Sequence, residues 1–323
     1  MTDAGADAGW FESVPPDDLD AARKAIESGS AESPKDWPTK AVEAGFAEDK
    51  EDYYEKLHEA TIYAAREAAE EQERADDQQL THSIRAMDDT ERTANELAER
   101  LEEWAGALLD VEADASGLDF AAIVADRDPA DATEERIVSL AQRVVDLREE
   151  RDDLRTFVER RGPEVAPNLA EMAGPVLAAR LISLAGGLES LAKMPSGTVQ
   201  VLGAEDALFA HLRGHAPSPK HGVIFTHEFV SGTRPADRGS AARALAGKLS
   251  IAARIDHYSG DRRDEVHEDL RERMATIRGR AAEDAGEADL DADAADRNVD
   301  ETAPGDDEAN HGVDATDAEV DDE

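Results

Sequence analysis

Between residues 207 and 258 the chain carries seven Lys/Arg against three Asp/Glu, in a protein whose formal net charge is −41. Cations at that density can neutralise phosphates, so the chemistry on offer is the binding of a polyanion such as RNA. The stretch also holds His211, His215, His221, His227 and His257, five of the nine histidines. His211 and His215 stand four apart, but there is no H-E-x-x-H and His215 borders a loop, so no metal site is expected. Leu202-Gly203-Ala204-Glu205 has no serine and is not a nucleophile elbow. The chain has no P-loop, no G-x-G-x-x-G and no cysteine. No catalytic residue, metal or cofactor is therefore expected, and the protein reads as a binder, not an enzyme.

Charge is distributed unevenly along the chain. Residues 1–162 carry a net −25, residues 163–281 a net +1, and residues 282–323 a net −17. The excess of Asp and Glu through the rest of the chain points to a halophilic host with high internal salt, where repulsion is screened within a few ångströms. A stretch spared from that excess either meets a polyanion or is a buried helical core with little room for charge; composition leaves both open. In such salt, RNA contact should lean on shape, a protein partner and hydrogen bonds more than on net charge.

The elements that would position these residues are mainly helical. The 323 residues suffice for two or three domains. No apolar run approaches a membrane span, and MTDAGADAGWFE lacks the basic and apolar parts of a secretory signal, so no membrane association and a cytoplasmic location are expected. Residues 1–75 form a small, Ala-rich region. Pro15-Pro16-Asp17-Asp18 starts a helix before Leu19, Ala22 and Ile26, and Phe46, Tyr53, Tyr54, Leu57 and Tyr63 belong to one or two more. Trp10, Phe11 and Trp37 either fill its small core or stand exposed as partner anchors.

Residues 76–161 carry helical spacing twice. Leu80, Ile84, Met87, Ala94, Leu97, Leu101, Trp104 and Leu108 mark the first helix. Ile137, Leu140, Val144, Leu147, Leu154 and Val158 mark the second, at alternating steps of three and four, with Arg151 on the same seam. This predicts an antiparallel coiled-coil hairpin whose seam pairs with a second copy in a homodimer; the alternative is an ordinary helix pair on the chain's own core. Gly162-Pro163 is expected to end the second helix.

Residues 162–281 predict an all-helical domain: an apolar helix over 169–184, a short apolar run at 199–202, a helix near 204–212, an extended stretch over 223–229 and a last helix from 238 or 239 to 258. On that last helix Arg243, Gly247, Ser250 and Arg254 share one narrow stripe. A basic helical end, RERMATIRGR, follows. Residues 282–323 have almost no large apolar residue and read as a disordered acidic tail, dispensable for assembly.

Residues 163–256 resemble the Nop domain. The match is carried by GPEVAPNLAEMAGPVLAARLISLAGGLESLAKMPSGTVQVLGAE, ALF, PKHGVIFTH and RGSAARALAGKLSIAARID, and the upstream DQQLTHSIRAMDDTERTANELAERLEEWAG is similar to the family's first coiled-coil helix. Within that family the chain most resembles the archaeal scaffolds of box C/D small ribonucleoproteins. The resemblance covers about 78–258. It implies a non-catalytic scaffold that recognises kink-turn guide RNA together with a small ribosomal-type protein bound to it. It also implies self-dimerisation through the coiled coil and an N-terminal domain that holds fibrillarin for guided ribose 2′-O-methylation. Carried onto this sequence, it implies RNA contact by Lys220, His221, Arg234, Arg238, Arg243 and Lys248. It further implies a ribonucleoprotein interface near Gln200, Glu205, Ala207, Leu208 and Phe209, although Leu208 and Phe209 read equally well as core. The sequence departs from the family at Asp206, where the family's G-A-E-K has Lys, and in an N-terminal region that is shorter and less strand-like. A Nop-type assembly factor without a methyltransferase partner is the alternative reading.

Overall fold

The computed structural model describes residues 9–29, 35–111 and 115–279. Among these residues there is no β-strand, and no helix is long and apolar enough to cross a membrane. The acidic tail expected over 282–323 lies outside the described residues.

The N-terminal unit is a small helical cluster of α1 (Leu19–Ser28), α2 (Trp37–Glu43) and α3 (Lys50–Glu73). Asp18 and Asp49 accept hydrogen bonds from the first free N–H groups of α1 and α3, which is why those helices start where they do. Phe11 is 2% exposed, with the rings of Trp37, Phe46 and Tyr53 at 5.7–6.3 Å, and the half-buried Trp10 donates to the Tyr53 hydroxyl at 3.3 Å. The aromatic residues therefore fill the core and do not stand free as anchors.

The hairpin consists of α4 (Asp76–Ala105) and α6 (Ala132–Val165), with α5 (Gly117–Ala125) packed across their far ends. Asp131 caps α6 by accepting from the Thr133 and Glu134 N–H groups at 2.8 and 2.9 Å. The expected homodimer seam is consumed inside the chain. Ile137 and Val144 are fully buried against Leu101, Ala105 and Phe120, with Leu140 half-buried on the same cluster. Val158 is buried, and Leu154 half-buried, against Leu80, Ile84 and the domain that follows; Leu147 is half-buried. One apolar stripe on a helix fits a partner of either kind, and α4 and α5 are tethered close by. The exposed apolar residues lie at the far end of the hairpin, at Trp104, Leu108 and Ile123.

α6 does not end at Gly162-Pro163. It runs through to Val165 with Pro163 inside it. Proline forfeits one helical hydrogen bond. The helix continues because Gly162 is seated on α8, where even a Cβ would lie 3.1 Å from Pro175, and because the Gly162 carbonyl is taken by Ala166 N at 2.9 Å.

The rest of the chain packs around one helix. α7 (Pro167–Ala173), α8 (Pro175–Ala185), α9 (Leu188–Lys193), α10 (Ser196–Val201), α11 (Glu205–Leu212) and α12 (Glu228–Ser231) precede α13 (Arg238–Tyr258), and a further helix, α14, spans 264–279. α13 buries Ala241, Ala242, Leu245, Ala246, Leu249, Ala252 and Ala253. Alanine on most of its surface lets α7, α9, α10 and α12 all approach it. The run at 199–202 is the end of α10 plus Leu202. The stretch expected to be extended, 223–229, is instead a 3₁₀ turn (Val223–Thr226) leading into α12. His227 decides this: its Nδ1 accepts from Phe229 N at 3.0 Å and caps α12, while its Nε2 donates to the Met172 carbonyl at 3.1 Å.

A buried carboxylate ties the two ends of this domain together. Asp256, 8% exposed near the end of α13, accepts from Asn168 N at 3.0 Å, Asn168 Nδ2 at 2.5 Å and Leu169 N at 2.9 Å. Asp256 thus caps α7 in place of a local residue. Asn168 also donates to the Asp261 carbonyl at 2.7 Å and accepts from Arg263 N at 2.7 Å, fixing the turn into α14. Burial pushes the Asp256 carboxyl up, and these N–H donors pull it back.

Two outcomes are expected. Asp256→Ala should cost about 3 kcal/mol in denaturant unfolding, because it strands buried donors of α7; a loss below about 1 kcal/mol would show that the network is not a brace. His227 is held low by burial, with Arg278 and His267 adding to the effect and the Met172 carbonyl and Glu228 opposing it. The unfolded His takes up a proton near its ordinary value of about 6.5 while the folded one stays neutral, so stability should fall as pH drops below about 6.5 and stay level above it. The fall in Tm from pH 7 to 5 should be smaller in His227→Gln than in the unmutated chain; equal falls would contradict this assignment.

Candidate nucleic-acid interface

α10, the 213–222 loop and the start of α13 enclose an open groove lined by Gly197, Gln200, Ser218, Lys220, Gly239, Ser240 and Arg243. Gln200 builds it. Its carbonyl accepts from Gly222 N at 2.8 Å and its Nε2 donates to the Lys220 carbonyl at 2.7 Å, so one residue grips both ends of the Lys220–Gly222 turn. Gly222 has to be glycine, since a Cβ there would drive into the Leu202 carbonyl oxygen. Lys220 is exposed, and its stem lies near enough to Gly239 that an added Cβ would sit 3.8 Å from Cδ. Arg243 is exposed one turn further along α13. Neither cation has a side-chain partner among the described residues. Asp237 supplies no side-chain cap to α13; Arg238 N donates to the Arg234 carbonyl and Ser240 N to the Asp237 carbonyl, which leaves Gly239 N as the first-turn N–H without a partner among the described residues. Two free cations beside the positive end of a long helix form an arrangement suited to a phosphate.

The other expected RNA contacts are placed differently. Arg238 donates through Nε to the Thr233 carbonyl at 3.0 Å and through Nη2 to the Ser231 carbonyl at 3.2 Å, and its guanidinium lies over the Phe225 ring. It braces the loop before α13 and is not a free phosphate grip. Arg234 pairs with Asp237 at 2.8 Å and Lys248 with Asp269 at 2.7 Å. Exposed pairs of this kind contribute little and can exchange partners. The expected Arg243–Arg254 stripe is not one open face. Ser250 is buried, and Arg254 donates to the carbonyls of Ala192 and Met194. His221 is half-buried and stacks on Phe225 at 4.6 Å. Sequence reasoning missed Phe225, because a lone Phe in an apolar run carries no mark of exposure.

α11 is a helix with no buried residue. Ala207 is exposed, Leu208 half-buried, and Phe209 and Leu212 are 55% and 71% exposed on one side of the helix. Glu205 is occupied locally, accepting from Gly203 N at 2.8 Å, and Asp206 is exposed in the first turn. Neither Leu208 nor Phe209 is core, so α11 presents an apolar surface.

Residues 76–277 match the family model described as "Nop: snoRNA binding domain, fibrillarin". The chain belongs to the Nop family. An uncharacterised NOP5 family protein of Methanocaldococcus jannaschii is 51% identical over 142 residues, covering 44% of this chain and 34% of that protein. Nucleolar protein 56 of Homo sapiens is 40% identical over 170 residues, covering 53% of this chain and 27% of that protein. A chain in a crystal structure of a fibrillarin/Nop5p complex aligns with a TM-score of 0.48 and 27% identity, covering 80% of this chain and 92% of that one. The chain thus spans about a third or less of the length of the curated relatives it matches.

Exposed aromatics of this kind dominate affinity where a partner binds, and the resemblance implies such an interface at Phe209. Phe209→Ala should leave the melting temperature unchanged and weaken assembly with a kink-turn RNA and its bound small protein by about tenfold or more in calorimetric titration. A fall in melting temperature with assembly intact would return Phe209 to the core.

Proposed function

We propose that this Nop-family protein is a non-catalytic scaffold of a box C/D ribonucleoprotein. It binds kink-turn guide RNA together with a small ribosomal-type protein seated on that RNA, and holds fibrillarin for guided ribose 2′-O-methylation. The carrying observation is the convergence of Lys220, Arg243 and Gly239 at the start of α13 in one groove, inside the segment that matches a family described as snoRNA-binding. The residues of the groove grip backbone phosphate, and α11 contributes Phe209 and Leu212 to the small protein. The composite surface matters because few phosphates are neutralised here and the surrounding salt is high. Fibrillarin enters through the family's description alone.

The second reading, a Nop-type assembly factor without a methyltransferase partner, is favoured by one observation. The family match begins at residue 76, and the described residues between 9 and 75 form a helical unit of α1, α2 and α3. Co-purification from the host separates the two: guide RNAs with fibrillarin support the first, guide RNAs without it the second. Self-association, if it uses the hairpin, is assigned to the exposed far end at Trp104, Leu108 and Ile123, because the seam is already filled.

The double substitution Lys220→Glu and Arg243→Glu should abolish complex formation in a gel shift with kink-turn RNA and the small protein, with circular dichroism unchanged, since neither side chain has a partner in the fold. In the unmutated chain the salt slope should be shallow, about −0.9 per phosphate contacted, and RNA without the small protein should bind weakly in molar potassium chloride. Undiminished binding by the double variant, or tight binding of naked RNA, would refute the reading.

A further inference from the structure

Aromatic residues are 4% of this chain, and the largest gathering of their rings is the N-terminal core, with Trp10, Phe11, Trp37, Phe46 and Tyr53. Phe225 is different. It sits in the 3₁₀ turn beside the groove, 36% exposed, with the His221 imidazole stacked on it at a centroid distance of 4.6 Å and an interplanar angle of 21°. The Arg238 guanidinium lies over the Phe225 ring, 5.3 Å from its centroid. Each member of this stack is held from behind. His221 stands in the turn that Gln200 grips at both ends. Phe225 N donates to the Gly222 carbonyl at 3.0 Å, and Arg238 is fixed by two backbone carbonyls. Lys220 precedes His221 directly and lies against the start of α13.

We propose that the stacked His221–Phe225 pair is a platform for one unpaired nucleobase of the bound RNA, set beside the phosphate grip of Lys220 and Arg243. The inference rests on the RNA-scaffold reading and deepens it. Bases inside a duplex hide their faces, so the half-buried His221 ring, backed by Phe225 and next to Lys220, is matched by a base from a loop, bulge or end. The platform is rigid before binding, so little side-chain freedom is lost on docking. Stacking is also not screened by salt, whereas phosphate contact is. At the high ionic strength that the acidic excess of this chain predicts, a ring pair holds RNA where additional cations would not. Arg238 then serves as a positioning residue, orienting Phe225 instead of touching phosphate.

The test uses the full chain, the small kink-turn-binding protein and a kink-turn RNA carrying 2-aminopurine at one unpaired position at a time. In the unmutated complex one position should be quenched by stacking. His221→Ala should lose that quench and about tenfold in affinity, while the slope of log affinity against log salt stays the same. His221→Phe should keep both the quench and the affinity, which also shows that the loop folds. Lys220→Ala should do the reverse: the salt slope falls by about 1 and the quench remains. Quenching at no position, quenching that survives His221→Ala, or a shallower salt slope in that variant would overturn the platform and leave His221 a spacer or a phosphate contact. Failure of the unmutated chain to bind the RNA–protein complex at all would instead overturn the scaffold reading on which the platform rests.

Discussion

The Asp256 carboxylate is the constraint on which the rest of this domain depends. A charge that is 8% exposed is tolerated only if its lone pairs are taken, and here three N–H donors from Asn168 and Leu169 take them. The interaction closes a loop of nearly ninety residues and does three things at once. It starts α7, it fixes the last turns of α13, and through Asn168 it sets the turn into α14. With its C-terminal end fixed in this way, α13 becomes the axis on which the short helices are laid. Its N-terminal end, where Gly239, Ser240 and Arg243 border the groove, is then placed by the same anchoring.

The cations divide into two populations by the same logic. Arg238 and Arg254 spend guanidinium donors on carbonyls at the ends of short helices, and Arg85 does the same at Ser183. Short helices leave many carbonyls without intrahelical partners, and arginine, with five donors in a fixed fork, satisfies them. Of the seven Lys/Arg between 207 and 258, Arg213, Lys220 and Arg243 have no side-chain partner among the described residues. The near-neutrality of residues 163–281 thus goes with a core that has little room for charge and, beside it, a small groove that holds Lys220 and Arg243.

The hairpin shows the same economy. α4 and α6 bury their stripes on each other, on α5 and on the domain core. What remains exposed is the far end, with Trp104, Leu108 and Ile123. An apolar residue left at the end of a lever is more accessible to another molecule than one along its length, and the hairpin carries these three at the end away from the helices packed on α13.

Much of this was legible in the sequence. Periodicity gave the two long helices, the last long helix and the mainly helical class, because a 3.6-residue repeat is a property of the local chain. The cationic pair Lys220 and Arg243 was legible because it interrupts an acidic background. What a stripe faces was not. Ile137, Val144 and Val158 have the spacing of a dimer seam, and only the tertiary structure shows that α4, α5 and α8 reach them first. Nor could the sequence assign Arg238 and Arg254, since their carbonyl partners follow from the packing of short helices and, for Arg254, lie about sixty residues away. The helical turns over 223–231 depend on His227 meeting the Met172 carbonyl, and the exposure of Phe225 and Phe209 depends on what fails to cover them. Spacing fixes which residues share a face; the folded chain fixes what lies against that face, because contact is made across distances in sequence that no local pattern encodes.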